Sequence, residues 1–261
     1  MTPKELRRKI ASGEFCAPTA GYCDGFVQAN MVALPKEYAK PFEEFAKRNS
    51  KAIPVLEVVK DGYITKELAS GANLLNEIPA YNVIKDGEVL RSVKSIEEFY
   101  SEDLVFFLIG CSFTFEKALV DAGIGLRHVE QKRNVSMYNT NIDLEPFGPF
   151  KGKMVVSMRP VRKDLVATAC VVTSCFPKTH GSPIHVGYPE MIGIKDINSP
   201  DYGDSVEIRD DEIPLFWPCG VTPQNVLRDI KIPFAITHKP GHMFVGDKKD
   251  SEYKDSEYCV S

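Results

Sequence analysis

Two strand–turn–helix units constrain the fold of this chain more than any other feature. Each unit has an apolar strand, a tight turn containing glycine and cysteine, and an amphipathic helix. The units span residues 104–122 and 214–230, with turns at 110–112 and 219–222. A further strand at 234–237 follows the second unit. Strand, helix and strand in this order are typical of parallel pairing, so the sequence predicts that both units share one parallel sheet.

The segment between the units has a different character, because short strands are mixed with one helix. We predict strands at 135–140, 154–158, 184–186 and 206–208 and a helix at 163–175. The fold class is therefore α/β, a three-layer α/β/α domain with an inserted smaller α+β domain. The main domain is predicted at 1–130 and 207–247, the insert at 131–206, and a polar, disordered tail at 248–261.

Local signals also predict several shorter elements. Thr2 and Glu5 form a capping box with proline at the first helical position, which predicts a helix over 3–12. A second helix is expected over 36–48. Asp86-Gly87 lies between two β-rich runs and predicts a hairpin.

Charge and cysteine usage exclude some classes of protein. The formal net charge is -4 and the isoelectric point about 5.8, which gives no electrostatic reason to bind nucleic acid or an anionic membrane. No run reaches the ~20 apolar residues of a membrane helix, and the N-terminus lacks the apolar core of a signal peptide, so a cytoplasmic location is expected. Seven cysteines without a C-x-x-C pair predict free thiols rather than a disulfide framework or zinc knuckle.

The turns of the two units carry the first candidate residues. Strand ends that lead into helices present backbone N–H groups and a positive dipole end. Cys111 and Cys219 place thiols there, and a helix N-terminus lowers a thiol pKa. Ser112 and Thr222 add hydroxyls, and Thr222 is also a good N-cap. Ordinary capping with buried cysteines is the alternative.

Four of the five histidines lie in two glycine- and proline-rich loops. His180 and His185 belong to the first loop, and His238 and His242 to the second. Such loops place side chains at sites, where histidine acts as an acid or base or as a metal ligand. Neither spacing matches the helical zinc pattern, and a structural, hydrogen-bonded histidine is the alternative for each. Arg159 follows a strand and suits a carboxylate clamp.

Several longer strings resemble a hydro-lyase family that includes D-glutamate cyclase. The strings that carry the resemblance are Gly110–Glu116, Arg127-His128, Met137–Ile142, Val155–Pro160, His180–Gly187, Pro200–Asp204, Phe216–Gln224 and Ile236–Met243. The resemblance covers about residues 3–247. Cys23-Asp24-Gly25 and the acidic tail depart from the family pattern.

The resemblance implies a lyase that closes D-glutamate to 5-oxo-D-proline with loss of water. The ammonium must lose a proton, the γ-carboxylate must be polarised, and the α-carboxylate must be held. No P-loop, Rossmann fingerprint or G-x-S-x-G elbow points to nucleotide or α/β-hydrolase chemistry. Two rivals stay open: a metal-dependent hydro-lyase or hydrolase with the loop histidines as ligands, and a non-catalytic binder of a small carboxylate.

We predict one pocket where both turns meet both histidine loops, because ligands gather at one edge of an open α/β sheet. The catalytic candidates are His180, His238, Cys111 and Cys219. The substrate-binding candidates are Ser112, Arg159, His185, Thr222, Asn141 and His242. The expected partner is a small acidic substrate, without metal, cofactor, nucleic acid or membrane, and a homo-oligomer is left open.

Overall fold

The computed structural model describes residues 1–259, and their strands form two sheets. The strands are β1 (Phe26–Pro35), β2 (Val55–Val59), β3 (Tyr81–Lys85), β4 (Glu88–Val93), β5 (Leu104–Gly110), β6 (Ser136–Asp143), β7 (Lys153–Arg162), β8 (His185–Val186), β9 (Glu212–Pro218), β10 (Phe234–His238) and β11 (Phe244–Lys249). The α-helices are α1 (Pro3–Ala11), α2 (Lys36–Arg48), α3 (Glu116–Asp121), α4 (Arg127–Glu130), α5 (Val166–Ser174) and α6 (Thr222–Asp229). Across residues 1–259, none of these helices has the length and apolar character to cross a membrane.

The first sheet is built around β1. Its order is β2-β5-β1-β10-β3-β4, and β11 pairs with the same edge of β1 as β10 does. β1 pairs with β5 from Ala29 opposite Gly110 to Pro35 opposite Leu104. Nearly every residue of β1 is buried, as expected for a central strand whose two faces are both covered.

The second sheet has the order β6-β7-β9-β8, and its pairing corrects the prediction of a parallel sheet. β9 pairs with β7 from Val156 opposite Pro218 to Arg162 opposite Glu212. Every strand pair among the described residues is antiparallel, and the strands at 104–109 and 214–217 lie in different sheets. The prediction that both strands share one parallel sheet is therefore wrong. A strand–turn–helix pattern is local and does not specify which sheet the strand joins.

The division of the chain between the sheets resembles the predicted insert only in part. Three of the four strands of the second sheet come from residues 131–206. The fourth, β9, comes from the segment assigned to the main domain. The domain boundaries themselves stay a prediction.

Different structures cover the two faces of the first sheet. On one face, Phe42 and Phe45 of α2 and Val226 of α6 pack against Phe107 of β5. The opposite face is covered by residues 60–80, which form neither an α-helix nor a sheet strand and contribute much of its apolar cluster. The mixed helix and sheet content agrees with the predicted class, but the predicted three-layer arrangement is wrong at this face.

The local predictions near the N-terminus are confirmed. In α1, the Thr2 hydroxyl accepts a hydrogen bond from the Glu5 N–H at 3.3 Å, and the Glu5 carboxylate accepts one from the Thr2 N–H at 2.8 Å. α2 begins and ends where the sequence predicts. β3 and β4 form the predicted hairpin, and Asp86 and Gly87 both have positive φ, as its tight turn requires.

The prediction of a disordered tail is wrong for residues 248–259, and the last two residues lie outside the described range. β11 ends at Lys249, and 3₁₀ turns follow at Asp250–Tyr253 and Ser256–Tyr258. Tyr253 packs against the core of the first sheet. Cys259 forms a disulfide with Cys175, with a Cα–Cα distance of 4.6 Å, so the expectation of free thiols fails for this pair.

Because Tyr253 is partly buried against the core, we expect Tyr253→Ala to lower the free energy of unfolding by about 1–2 kcal/mol. Tyr258 is 54% exposed and serves as the control, with an expected change within about 0.5 kcal/mol for Tyr258→Ala. Urea titrations measure both. Equal effects of the two substitutions contradict the assigned role of the tail.

Candidate functional site

The ends of β5 and β9 meet beside β1, although the strands belong to different sheets. The Asn30 side-chain amide on β1 donates to the Gly110 carbonyl at 2.9 Å. A side chain at Gly220 would overlap that same amide, so the second turn lies directly against it. Cys111 and Cys219 belong to one apolar cluster. The two turns that the sequence predicted to face each other are therefore adjacent.

The cysteines of these turns are not activated thiols. Cys111 is 6% exposed and Cys219 is 8% exposed. Burial raises the pKa of Cys219 to about 11 and raises the pKa of Cys111 further. The predicted lowering of their pKa is wrong, because desolvation of the thiolate outweighs the nearby backbone N–H groups.

Thr222 anchors the second turn instead of capping α6. Its hydroxyl donates to the Cys219 carbonyl at 2.7 Å and accepts from the Val155 N–H at 3.0 Å. The N-cap of α6 is Val221, so the predicted cap is wrong. These hydrogen bonds connect the turn to β7. They engage the hydroxyl group that the sequence predicts to face substrate.

Arg159 forms the centre of a buried ionic network. Its Nε and Nη2 donate to Oε1 of Glu116 at 3.0 and 2.5 Å. Its Nη1 donates to the Ser157 hydroxyl at 3.1 Å, and its Nη2 to the Ser112 hydroxyl at 3.0 Å. The predicted roles of Arg159 as a carboxylate clamp and Ser112 as a substrate ligand would require a substrate to displace these bonds.

His128 contacts the same carboxylate oxygen. Its Nε2 lies 3.1 Å from Oε1 of Glu116 and forms no hydrogen bond within residues 1–259. Burial raises the pKa of Glu116, but His128 and Arg159 outweigh burial and lower that pKa overall. Glu116 is therefore ionised in the interior at neutral pH.

His238 replaces a missing strand partner. Its Nδ1 lies 3.1 Å from the Met31 nitrogen and 3.2 Å from the Met31 oxygen. Pairing of β10 with β1 stops at Thr237, and that of β11 begins at Phe244, so the ring bridges the gap between them. Burial lowers the pKa of His238 to about 4. These contacts make His238 a structural brace.

His180 lies in the wall of a cleft of about 930 Å³, which we call the first cleft and which lies between residues 43–56, 174–182 and 248–258. Its Nδ1 lies 3.0 Å from the Lys51 carbonyl oxygen, and its Nε2 has no hydrogen-bond partner in the described part of the chain. Burial lowers its pKa to about 4, and the backbones of Lys51 and Gly110 only partly offset burial.

The predicted meeting of the first turn with the His180 loop is present. A side chain at Gly110 would overlap the Lys178 carbonyl, so these two backbones touch. The turn thus packs beneath the loop that carries His180.

Four charged residues of the first cleft are not engaged in ion pairs within residues 1–259. They are Lys51, Lys178, Glu67 and Asp255. The other charged residues of the wall form pairs: Glu43 with Lys47 at 3.8 Å and Lys248 with Glu252 at 3.4 Å. Burial lowers the pKa of Lys51. The first cleft therefore offers two ammonium groups and two carboxylates to a ligand.

The single pocket of the sequence prediction is not assembled in full. His185 lies in β8 with its Nε2 3.0 Å from the Tyr188 carbonyl oxygen, and Asn141 is exposed on β6. The Nδ1 of His242 lies 3.0 Å from the Pro240 carbonyl oxygen. None of the three lines the first cleft. Within residues 1–259, no three His, Cys, Asp or Glu side chains are placed to hold a metal ion, so the ligand set of the metal-dependent rival is not assembled.

Sequence reasoning missed three residues of this region. Glu116 is an acidic residue with Phe113, Phe115 and Leu119 close by in sequence, and such apolar neighbours indicate a buried, paired charge. His128 is the one histidine of the sequence outside the two glycine- and proline-rich loops, so loop composition does not mark it as a site residue. Lys51 carried no signal, because its place beside His180 depends on a contact between distant segments.

Comparison with known proteins identifies relatives of this chain. A family model described as D-glutamate cyclase matches residues 105–247. A Clostridium beijerinckii protein named "Putative hydro-lyase" is 49% identical, with 97% of each chain covered. A Psychrobacter arcticus protein of the same name is 49% identical over 97% of this chain and 96% of its own. This chain belongs to the D-glutamate cyclase family.

The family match includes the main residues of the site. Glu116, His128, Arg159 and His180 lie within the matched segment, whereas Lys51 lies before it. The names of the relatives support a lyase. Among solved structures, a nitrogen repressor-like protein from Methanococcus jannaschii has a TM-score of 0.39 at 10% identity, over 96% of this chain and 99% of its own, which is too low to establish a shared fold.

We expect this D-glutamate cyclase family member to lose stability between pH 6.5 and about 4. His180 and His238 stay neutral in the fold down to about pH 4, whereas the unfolded chain protonates them near 6.5. Each histidine therefore contributes to the free energy of unfolding. This contribution is complete above pH 6.5, and about 3 kcal/mol of it is lost as the pH falls toward 4.

Urea titrations of the wild type and His238→Gln at pH 7 and pH 4.5 test this expectation. The variant should lose less stability on acidification than the wild type, because one buried histidine no longer takes up a proton on unfolding. Identical losses in the two proteins would show that His238 is not held neutral.

Proposed function

We propose that this chain closes D-glutamate to 5-oxo-D-proline, with loss of water, in the first cleft. The proposal is carried by one observation: His180 lines this cleft next to Lys51 and has a buried Nε2 without a hydrogen-bond partner within residues 1–259. Such an atom needs an explanation, which a substrate would provide; His128 and His238 also have such an Nε2 in this range, but neither lines the first cleft. The family model, described as D-glutamate cyclase, supports the reaction class.

The free charges of the first cleft fit a dicarboxylic amino acid. D-Glutamate carries two carboxylates and one ammonium. Lys51 and Lys178 are the matching cations, and Glu67 and Asp255 are available to the ammonium. The cleft volume of about 930 Å³ is ample for this substrate.

His180 has the tautomer that a general base requires. The Lys51 carbonyl oxygen can only accept a hydrogen bond, so Nδ1 carries the proton and Nε2 keeps its lone pair. Because burial lowers the pKa of His180 to about 4, the ring is neutral at pH 7.

The reaction then follows with balanced atoms. His180 Nε2 takes a proton from the substrate ammonium, and the resulting amine attacks the γ-carboxyl carbon. The new C–N bond forms, and one γ-oxygen leaves as water after receiving two protons, one returned by His180 and one from the nitrogen. Lys51 or Lys178 stabilises the negative charge on the other γ-oxygen in the tetrahedral intermediate.

We expect His180→Asn to lower kcat about 10²-fold while the protein stays folded, because the amide N–H of asparagine can still bond the Lys51 carbonyl. The matched control is His238→Asn, which also removes a buried histidine with a pKa of about 4, but outside the first cleft. The control should cost stability and leave the rate of the folded enzyme nearly unchanged. Turnover of D- and L-glutamate, followed as 5-oxoproline release, measures both variants.

The outcomes separate the alternatives. Equal rate losses in the two variants would mean that His180 is only a brace. Saturable D-glutamate binding without 5-oxoproline formation in the wild type would instead indicate a non-catalytic carboxylate binder.

We also expect Lys51→Gln to raise KM for D-glutamate about tenfold, since a charge-assisted hydrogen bond to a carboxylate is lost. Lys153→Gln is the control, because Lys153 is exposed, pairs with Asp143 and lies outside the first cleft. Steady-state kinetics test this pair, and an unchanged KM for Lys51→Gln would place substrate elsewhere.

A further inference from the structure

A second cleft, of about 390 Å³, lies between residues 21–28 and 113–130. It is separate from the first cleft, since no residue lines both. Its walls are largely apolar, formed in part by Phe26, Phe113 and Val129. Glu116, the acidic partner of Arg159, also forms part of this wall.

One oxygen of the Glu116 carboxylate is left for a ligand. The residue is 5% exposed, and its Oε1 accepts both hydrogen bonds from Arg159 and faces His128. Its Oε2 accepts no hydrogen bond from any residue in the described range 1–259. A nearly buried, ionised carboxylate with one free oxygen in a cleft wall calls for a donor.

The charges around this cleft favour a cation. Its wall contains the carboxylates of Asp24, Glu116 and Glu130 and one ammonium, that of Lys117. Lys117 is not free to serve Glu116, because it pairs with Asp121 at 2.8 Å. Glu130 pairs with Arg127 at 3.1 Å, so the acidic groups of this wall that remain for a cationic ligand within residues 1–259 are Asp24 and Oε2 of Glu116.

The apolar part of the wall defines the rest of the ligand. Phe113 lines the same cleft as Glu116, so an aromatic ring is available to a cation bound there. Val120, Leu126 and Val129 provide apolar surface for an aliphatic body. A hydrated inorganic ion would leave this surface unused.

We infer that the second cleft binds a small organic ammonium, whose nitrogen donates to Oε2 of Glu116 while its aliphatic body packs on the apolar wall. This site is independent of D-glutamate turnover in the first cleft, because the two clefts share no lining residue.

Isothermal titration of the full-length protein with n-butylammonium, n-butanol and n-butyrate tests the inference. Butylammonium should bind at least about tenfold more tightly than the other two, because a charge-assisted hydrogen bond distinguishes it. Glu116→Gln should remove this preference. Equal binding of butylammonium and butanol would overturn the inference in favour of a merely apolar cleft, and no binding of butylammonium would overturn it outright.

Glu116→Gln also weakens the Arg159 network, so a second pair of variants avoids it. Val129 lines the cleft and is 38% exposed, which makes it replaceable without opening the core. Val129→Arg should weaken butylammonium binding about tenfold by placing a cation in the cleft, whereas the neutral Val129→Gln should retain most of the affinity. Equal affinities of the two variants would overturn the role of charge.

Discussion

The buried ion pair between Arg159 and Glu116 is the interaction on which the arrangement of the two sheets depends. Arg159 lies in β7 of the second sheet, and Glu116 begins α3, directly after the turn that ends β5 of the first. The guanidinium also lies 5.5 Å from the ring centroids of Phe115 and Trp217. Removing one partner of such a pair leaves an uncompensated buried charge, at a cost of about 3–5 kcal/mol. The pair therefore holds together two sheets that share no strand.

Both clefts inherit their geometry from this junction. The turn at 110–112 packs beneath the loop carrying His180, and the helix that follows it carries Glu116 into the second cleft. A shift of β5 relative to β7 would move both His180 and the Glu116 carboxylate. The junction is therefore a shared support for both clefts.

The sequence predicts well where the physical signal is local. The capping box of Thr2 and the Asp86-Gly87 turn each depend on neighbouring residues, and both are present as expected. The partner of β9 depends instead on packing with a strand some fifty residues away, which no local pattern encodes. The same limit applies to Cys111, whose thiol pKa is raised by surroundings drawn from distant segments.

The histidine loops show the limit most clearly within the site. His180 and His238 have similar loop composition, complete burial and the same pKa of about 4. In both, Nε2 has no hydrogen-bond partner within residues 1–259, and they differ in position: His180 lines the first cleft, whereas His238 lies in the gap between the two strands that pair with β1. Composition places both at turns, but only the paths of β10 and β11 along β1 distinguish the position of His238 from that of His180.

The position of the C-terminal segment has a practical consequence for handling the protein. Its last described residue, Cys259, is bonded to Cys175, and the turn before it forms a wall of the first cleft. An affinity tag or fusion partner joined to the C-terminus would thus be separated in sequence from Tyr258 of this wall by three residues. The N-terminal helix packs on β11 through Leu6 and Val245 and lines neither cleft. The Met1 carbonyl accepts a hydrogen bond from the Cys23 thiol of the second cleft at 3.5 Å, so an N-terminal extension leaves the first cleft clear and starts beside the second.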